Sequence, residues 1–295
     1  MEMGNVTFDE YRIEDENIKY VKTSSDTGYF SGDIILKNTG SYIFLQNAVD
    51  EEDYVASCVQ SLVEKDDTLK EHIKAVAVIV RTFVYNLLKS GIYILPDSLP
   101  QWHYRGYGNI SDVVKNAVKE TKGEILTYLG YPVFTSLTYC TGGFTVPYEE
   151  IFFDSLDYSV AVEDTFSLDC PYYQWETKID KKLVCYKLNL KTIDSVKVLN
   201  KTIHLIPDTV AFYGDKEVKI RGIVLYQTFH PALLSPLFDL TVNGDSIYFK
   251  GHGKGILVGL PLWSSRKMAK SGKNYREILQ YFYPATDILK VETSR

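Results

Sequence analysis

Thr68-Leu-Lys-Glu-His-Ile-Lys-Ala-Val-Ala-Val-Ile-Val-Arg-Thr-Phe-Val-Tyr-Asn-Leu-Leu-Lys-Ser-Gly91 decides the fold class. Ile73, Val76, Ala77, Val80, Val84, Leu87 and Leu88 recur at helical spacing and make a broad apolar face. Thr68 and Glu71 have the spacing of a capping box, in which each side chain satisfies the other's free backbone N–H. Lys89 in the last turn and Gly91 after it mark the end. A helix this apolar must be covered on two sides, so the spacing predicts a buried spine with other elements packed around it.

Upstream, the chain to about Leu45 reads as short strands with turns at Asp26–Gly28, Ser31-Gly32 and Asn38–Gly40. Asp50 to Asp53 cap a first helix that carries Tyr54, Val55, Cys58, Val59 and Leu62 on one side. Downstream, a polar and aromatic loop (Gln101–Gly108) leads to a third helix, capped by Ser111 and stopped at Gly123. Glu124–Tyr128 and Val133–Tyr139 read as the two arms of a hairpin. From about Leu168 to Leu240 the pattern is strand after strand, including Leu183–Leu188 and Ile220–Tyr226. Asn274 and Glu277 cap a last helix that Pro284 stops. Helices and hairpins kept apart along the chain predict an α+β fold, with a long buried helix and short helices packed on antiparallel hairpins and sheets. Four segments follow: 1–45, mostly β; 46–160, with the central helix and the hairpin; 161–240, rich in strands; and 241–295, glycine-rich and then helical.

With 45% hydrophobic and 24% charged residues the chain is that of a folded protein. No run of about 18 apolar residues occurs, so no membrane span is expected. The opening Met-Glu-Met-Gly-Asn-Val-Thr has neither the basic nor the apolar stretch of a signal peptide. A net charge of -6 argues against nucleic acid as a partner. Lys250, Lys254, Arg266, Lys267, Lys270, Lys273 and Arg276 nonetheless form a basic zone, read either as a solvated face or as a contact for an anionic polymer. Cys58, Cys140, Cys170 and Cys185 include no C-x-x-C pair. Cys170 and Cys185 flank a β-like stretch and could bridge in an oxidising compartment; the alternative is buried thiols. The 23 tyrosines suit strands, and also a surface that stacks on sugar rings.

Four blocks occur in a collinear order. Asp50-Glu-Glu-Asp-Tyr54 precedes Lys74-Ala-Val-Ala-Val-Ile-Val-Arg81-Thr82; then come Gln101-x-x-Tyr104-x-Gly106 with Ala117-Val-Lys-Glu-Thr-Lys-Gly123. Tyr139-Cys-Thr-Gly142-Gly143-Phe-Thr145 follows with Glu149 and Glu150, and last Gly251-His-Gly-Lys-Gly255-Ile-Leu-Val-Gly259-Leu-Pro-Leu-Trp263. Together they resemble the stage II sporulation protein D and amidase enhancer family, whose members work on bacterial peptidoglycan. The resemblance implies an extracytoplasmic setting and peptidoglycan glycan strands or a cell-wall protein as partner; no cofactor is expected, and no ligand spacing among the histidines and cysteines supports a metal site. It also implies substrate contacts from Arg81, Gln101, Tyr104, Thr141, Gly142, Gly143, Glu149, Glu150 and Trp263.

Catalytic members of that family are lytic transglycosylases, in which one glutamic acid protonates the glycosidic oxygen and the sugar closes as a 1,6-anhydro ring. Such an acid needs a partly desolvated carboxyl. Counted from Tyr54 its position is Leu62; counted back from Arg81-Thr82 it is Val63. Neither side chain can donate a proton. Glu64 is the nearest carboxylate, and Glu71 is a more remote alternative. The family's glutamine is Val76 here, its glycine-run histidine is Ile256, and its Ser-Gln is Pro261-Leu262. Apolar residues at all these positions predict a former polar cleft that has become packed, because buried polar groups without partners are costly. The expectation is a catalytically degenerate member that binds glycan or regulates a partner. An active transglycosylase with a relocated acid and a protein-interaction module are its rivals. For Arg81, an internal ion pair with Glu149 or Glu150 is the structural alternative. Glu149 and Glu150, if on a strand, point oppositely and cannot flank one bond. Trp102 and Trp175, like Trp263, offer either sugar platforms or core.

Overall fold

A computed structural model describes residues 10–14, 19–22, 27–64, 67–96, 102–152 and 154–292. They form two compact units: the chain up to Phe134 with its return from Ile288, and Thr135–Asp287. Both mix helices with short sheets, and the class is α+β.

In the first unit, β1 (Glu10–Ile13), β4 (Asp33–Asn38) and β5 (Ile43–Ala48) form an antiparallel sheet in the order β1-β4-β5, while β2 (Lys19–Lys22) and β3 (Thr27–Phe30) pair separately. The expected turn at Asn38–Gly40 is present, the Asn38 side chain accepting from the Gly40 N–H at 2.8 Å; Asp26 lies outside the described residues. Next comes α1 (Glu51–Leu62), capped as expected by Asp50, whose carboxylate accepts from the Glu52 N–H at 2.8 Å. The spine is α2 (Lys70–Lys89), in which every side chain from His72 to Thr82 except that of Lys74 is buried. It packs on α1, on α3 (Asp112–Glu120) and on β6 (Glu124–Tyr128). Each fully buried Ile or Val there is worth roughly 1.5–3 kcal/mol. Ser111 caps α3. Beyond it Gly123 has φ +75°, and a Cβ there would lie 2.4 Å from the Val291 carbonyl, where the chain's return pairs with this unit.

Two expectations for this unit are corrected. The capping box at Thr68 and Glu71 does not form. The α2 N-cap is Leu69, the buried Asp67 takes the Leu69 N–H at 2.8 Å, and Glu71 turns to Lys74 at 2.9 Å. An Asx-type turn one residue earlier has displaced the box. The hairpin after α3 is shorter than read: β6 pairs with β7 (Tyr131–Pro132), the Val133 N–H adds one more bond to the Leu126 carbonyl at 3.1 Å, and the second arm then leaves it. Farther along, Leu137 and Thr138 pair with Leu260 and Pro261 instead.

In the second unit, β8 (Leu137–Thr138) runs parallel to β15 (Leu260–Pro261). A turn of helix, α4, spans Tyr148–Ile151. Two antiparallel sheets carry the core. One has β9 (Gln174–Asp180), β14 (Ser246–His252) and β13 (Phe238–Asn243) in the order β13-β14-β9; the other has β10 (Ile193–Lys201), β11 (Pro207–Gly214) and β12 (Glu217–Arg221). Phe212, Leu225, Leu233 and Phe249 are buried at its centre. Leu183–Leu188 and most of Ile220–Tyr226, expected as strands, are helical: α5 (Lys181–Leu188) and α6 (Gly222–Phe229). Asp180 caps α5 through the Lys182 N–H at 2.6 Å, and Asn189 closes it in the left-handed conformation. In α6, Ile223, Leu225, Tyr226 and Phe229 are buried, a helical stripe that short apolar runs hide from sequence reading. α7 (Leu262–Lys270) and α8 (Tyr275–Phe282) close this unit, and the capping box of Asn274 and Glu277 is formed. Lastly β16 (Asp287–Lys290) joins β6 and β7. None of the described helices is long and apolar enough to cross a membrane.

Candidate functional site

In the first unit, the position expected for an acid is apolar in either register. Leu62 ends α1, half-buried, and Val63 is its buried C-cap. Glu64, just beyond, is exposed rather than held in the desolvated setting that the acid role requires. Val76 lies within the fully buried part of α2. Arg81, with 0% exposure, is held bidentately by Glu52, Nε to Oε1 at 2.8 Å and Nη2 to Oε2 at 2.7 Å. Its remaining donors reach the Val118 and Glu124 carbonyls at 3.1 and 3.2 Å. The ion pair expected with Glu149 or Glu150 is therefore replaced by one that ties α1, α3 and β6 to the spine. Next to it, burial and then the Glu52 charge push the Glu51 carboxyl up to about 6. Tyr104 donates to Asn47 and stacks on Tyr54 at 5.1 Å. Burial holds its phenol well above the usual range. Gln101 lies outside the described residues.

In the second unit, the Thr141-Gly142-Gly143 turn rests on a buried aspartate that the sequence did not single out. Thr141 Oγ1 and Ser264 Oγ both donate to Asp164 Oδ2, at 2.7 and 2.6 Å. Burial raises the Asp164 carboxyl, and the two hydroxyls pull the other way. Gly142 has φ +71°, and a Cβ there would meet the Gly253 nitrogen at 2.6 Å, so a bare backbone is required. Glu149 and Glu150 stand on α4, a helical turn and not a strand. Glu149 is exposed, while Glu150 is hydrogen-bonded to His204 Nδ1.

Beside that turn lies a group of half-buried rings. The Tyr139 ring is 5.5 Å from Tyr172, edge to face, and 6.4 Å from Trp263. Lys254 Nζ stands 4.0 Å from the Tyr172 ring centre and 5.0 Å from that of Tyr139. Trp263 Nε1 donates to Asp169 Oδ1 at 3.1 Å, and Lys267 pairs with the other oxygen. These two bonds hold the Asp169 carboxyl below the usual carboxylate range. Tyr173 completes the group, its ring 5.9 Å from His252 and its hydroxyl 3.4 Å from where a Gly143 Cβ would stand. Trp102 and Trp175, by contrast, are core residues. Rings in mutual contact, with a cation among them and a carboxylate at the edge, make an amphipathic platform for a ligand with both C–H faces and charged groups.

The family described as Stage II sporulation protein matches residues 40–128. The chain is 26% identical over 263 residues to the stage II sporulation protein D of Bacillus subtilis (strain 168), covering 82% of this chain and 75% of that one. It is 23% identical over 260 residues to the protein of the same name from Bacillus amyloliquefaciens, with the same coverage, 82% and 75%. To the amidase enhancer of Bacillus subtilis (strain 168) it is 23% identical over 277 residues, 74% of this chain and 38% of that one. The chain is thus similar to stage II sporulation protein D and to the amidase enhancer.

Measured against that family resemblance, the chain departs at positions that the fold packs. Ile256 is half-buried and packs on the second unit's core, and Pro261 is buried. Sequence reasoning found Thr141, Gly142, Gly143 and Trp263 but missed Tyr139, Tyr172, Lys254, Asp169 and Asp164 as their companions. The tyrosine surplus and Lys254's place in the glycine run were the available signals. Tyr172 meets Lys254 from about 80 residues away, which no local pattern records. Among the described residues, no cluster of three or more His, Cys, Asp or Glu side chains is placed to hold a metal ion.

Proposed function

We propose that this protein is an extracytoplasmic, peptidoglycan-associated protein like stage II sporulation protein D that binds glycan strands without cleaving them. The observation that carries the reading is the platform of Tyr139, Tyr172 and Trp263 with Lys254. Ring faces stack on the C–H faces of pyranose rings, and the lysine complements a carboxylate of the kind that muramyl residues and their peptides carry. The family-model match over residues 40–128 and the similarity to proteins named stage II sporulation protein D and amidase enhancer support a cell-wall setting. The apolar Leu62 and Val63 and the exposed Glu64 support the absence of cleavage.

Sedimentation with purified sacculi, followed by analysis of the soluble muropeptides, tests both halves. The protein is expected to pellet with sacculi and to release no 1,6-anhydro muropeptides. Trp263→Ala and Tyr172→Ala should each weaken binding about tenfold, which corresponds to about 1.4 kcal/mol for one stacking ring. Anhydro products that vanish in Glu64→Gln would establish the active enzyme instead. Absence of pelleting would overturn the glycan reading.

A further inference from the structure

Cys140 and Cys170 are neighbours of the platform on both sides: Cys140 follows Tyr139, and Cys170 lies between Asp169 and Tyr172. Their thiols are hydrogen-bonded to each other. Both residues are buried, Cys140 at 0% and Cys170 at 5% exposure. Cys185, the partner weighed for Cys170 from sequence, is instead half-buried on α5.

The backbone around the two cysteines is already closed. Cys140 exchanges two hydrogen bonds with Lys254, at 3.1 and 2.8 Å, and the next residue along, Gly253, donates to the Tyr173 carbonyl at 3.2 Å. Thr141 is bonded to Asp164, so the segments carrying the two sulfurs are tied together on both flanks. A bridge between two buried thiols that share a hydrogen bond would join segments this frame already holds together.

We propose that Cys140 and Cys170 form a disulfide that staples the Tyr139 end of the platform to the segment bearing Asp169, Tyr172 and Tyr173. The oxidant is a small-molecule or protein disulfide. A Cys170 thiolate attacks one of its sulfurs and expels a thiol; Cys140 then attacks Cys170 Sγ and expels the second. The chain gives up two protons and two electrons, and the oxidant leaves as two thiols. Cys170 is the better first nucleophile. Its sulfur accepts from the Tyr172 N–H at 3.5 Å, and the hydrogen bond from Cys140 pulls its thiol below the ordinary range. The bond itself does not depend on the glycan reading; its effect on binding does.

The full chain, equilibrated with oxidised and reduced glutathione, tests this directly. Peptide mapping after alkylation should find a single Cys140–Cys170 linkage, with an intact mass about 2 Da lower, and Cys58 and Cys185 alkylated. The oxidised form should melt about 5–10 °C above the reduced form, because the bond closes a loop of about 30 residues. The Cys140→Ser/Cys170→Ser double variant should lose that redox-dependent difference; the mapping stands without it if the variant does not fold. Linkage to Cys185, no linkage, or linkage without a higher melting temperature overturns the proposal. A disulfide that forms while neither redox state pellets with sacculi would sink the glycan reading and leave the staple standing.

Discussion

Arg81 keeps its charge with no exposed surface because Glu52 answers it through two parallel hydrogen bonds and backbone carbonyls take the other donors. Removing one member of such a pair strands the other. Arg81→Met is expected to cost about 3–5 kcal/mol in urea denaturation, and the Glu52→Gln/Arg81→Met double variant less than the sum of the single changes. Glu51, one residue earlier, works against the fold at neutral pH. Its folded value of about 6 stands above the unfolded 4.5, so its stabilising contribution is complete below about 4.5 and is lost as pH rises through about 6. Glu51→Gln should therefore flatten the stability profile over that window. Above pH 6 it should gain about 1 kcal/mol, discounted from roughly 2 because Glu51 is only partly buried. A variant no more stable than the parent at pH 7.5 would contradict this. An internal ion pair for Arg81 was readable as one of two alternatives, beside substrate contact. Its partner was not, since Glu52 looked like one of several capping carboxylates on α1 and only the packing of α1 against α2 brings the two together.

At the scale of elements, legibility followed local chemistry. Asp50, Ser111 and Asn274 announced their helices, and each caps one. The α2 face was readable because its period extends over five turns. Where a tertiary partner decides, reading failed: α5 buries only Val184, so its sequence carried no helical stripe. The displaced α2 cap depended on Asp67, whose burial no spacing foretells. The buried middle of α2 is where the closed-cleft idea meets a direct test. Val76→Gln restores the polar residue expected from the family resemblance into a side-chain position with no exposure. An amide there without partners should cost about 2–4 kcal/mol by chemical denaturation. A cost below about 1 kcal/mol would mean that room and partners for a polar group persist beside the spine.

For the molecule as a whole, charge and stacking make opposite forecasts about binding. The net charge is -6, and three of the seven basic residues from Lys250 to Arg276 are answered by a neighbouring carboxylate. Lys250 pairs with Glu176 at 2.7 Å, Lys273 with Glu277 at 2.8 Å, and Lys267 with Asp169. Such exposed pairs add little stability, but they cancel the field that an anionic polymer would feel at a distance. Raising ionic strength from about 0.05 to 0.3 M shortens the reach of the remaining field to well under about 10 Å. If contact is made through Tyr139, Tyr172 and Trp263, with Lys254 acting at short range, sacculus affinity should change less than about threefold over that interval, the weakened repulsion of a net-negative chain offsetting the screened lysine. A basic-patch binder would instead lose affinity steeply with salt. Pelleting assays across the salt series, run beside Trp263→Ala, separate the two. A tenfold or larger loss with salt, together with an unaffected Trp263→Ala, would move the contact from the rings to the charges.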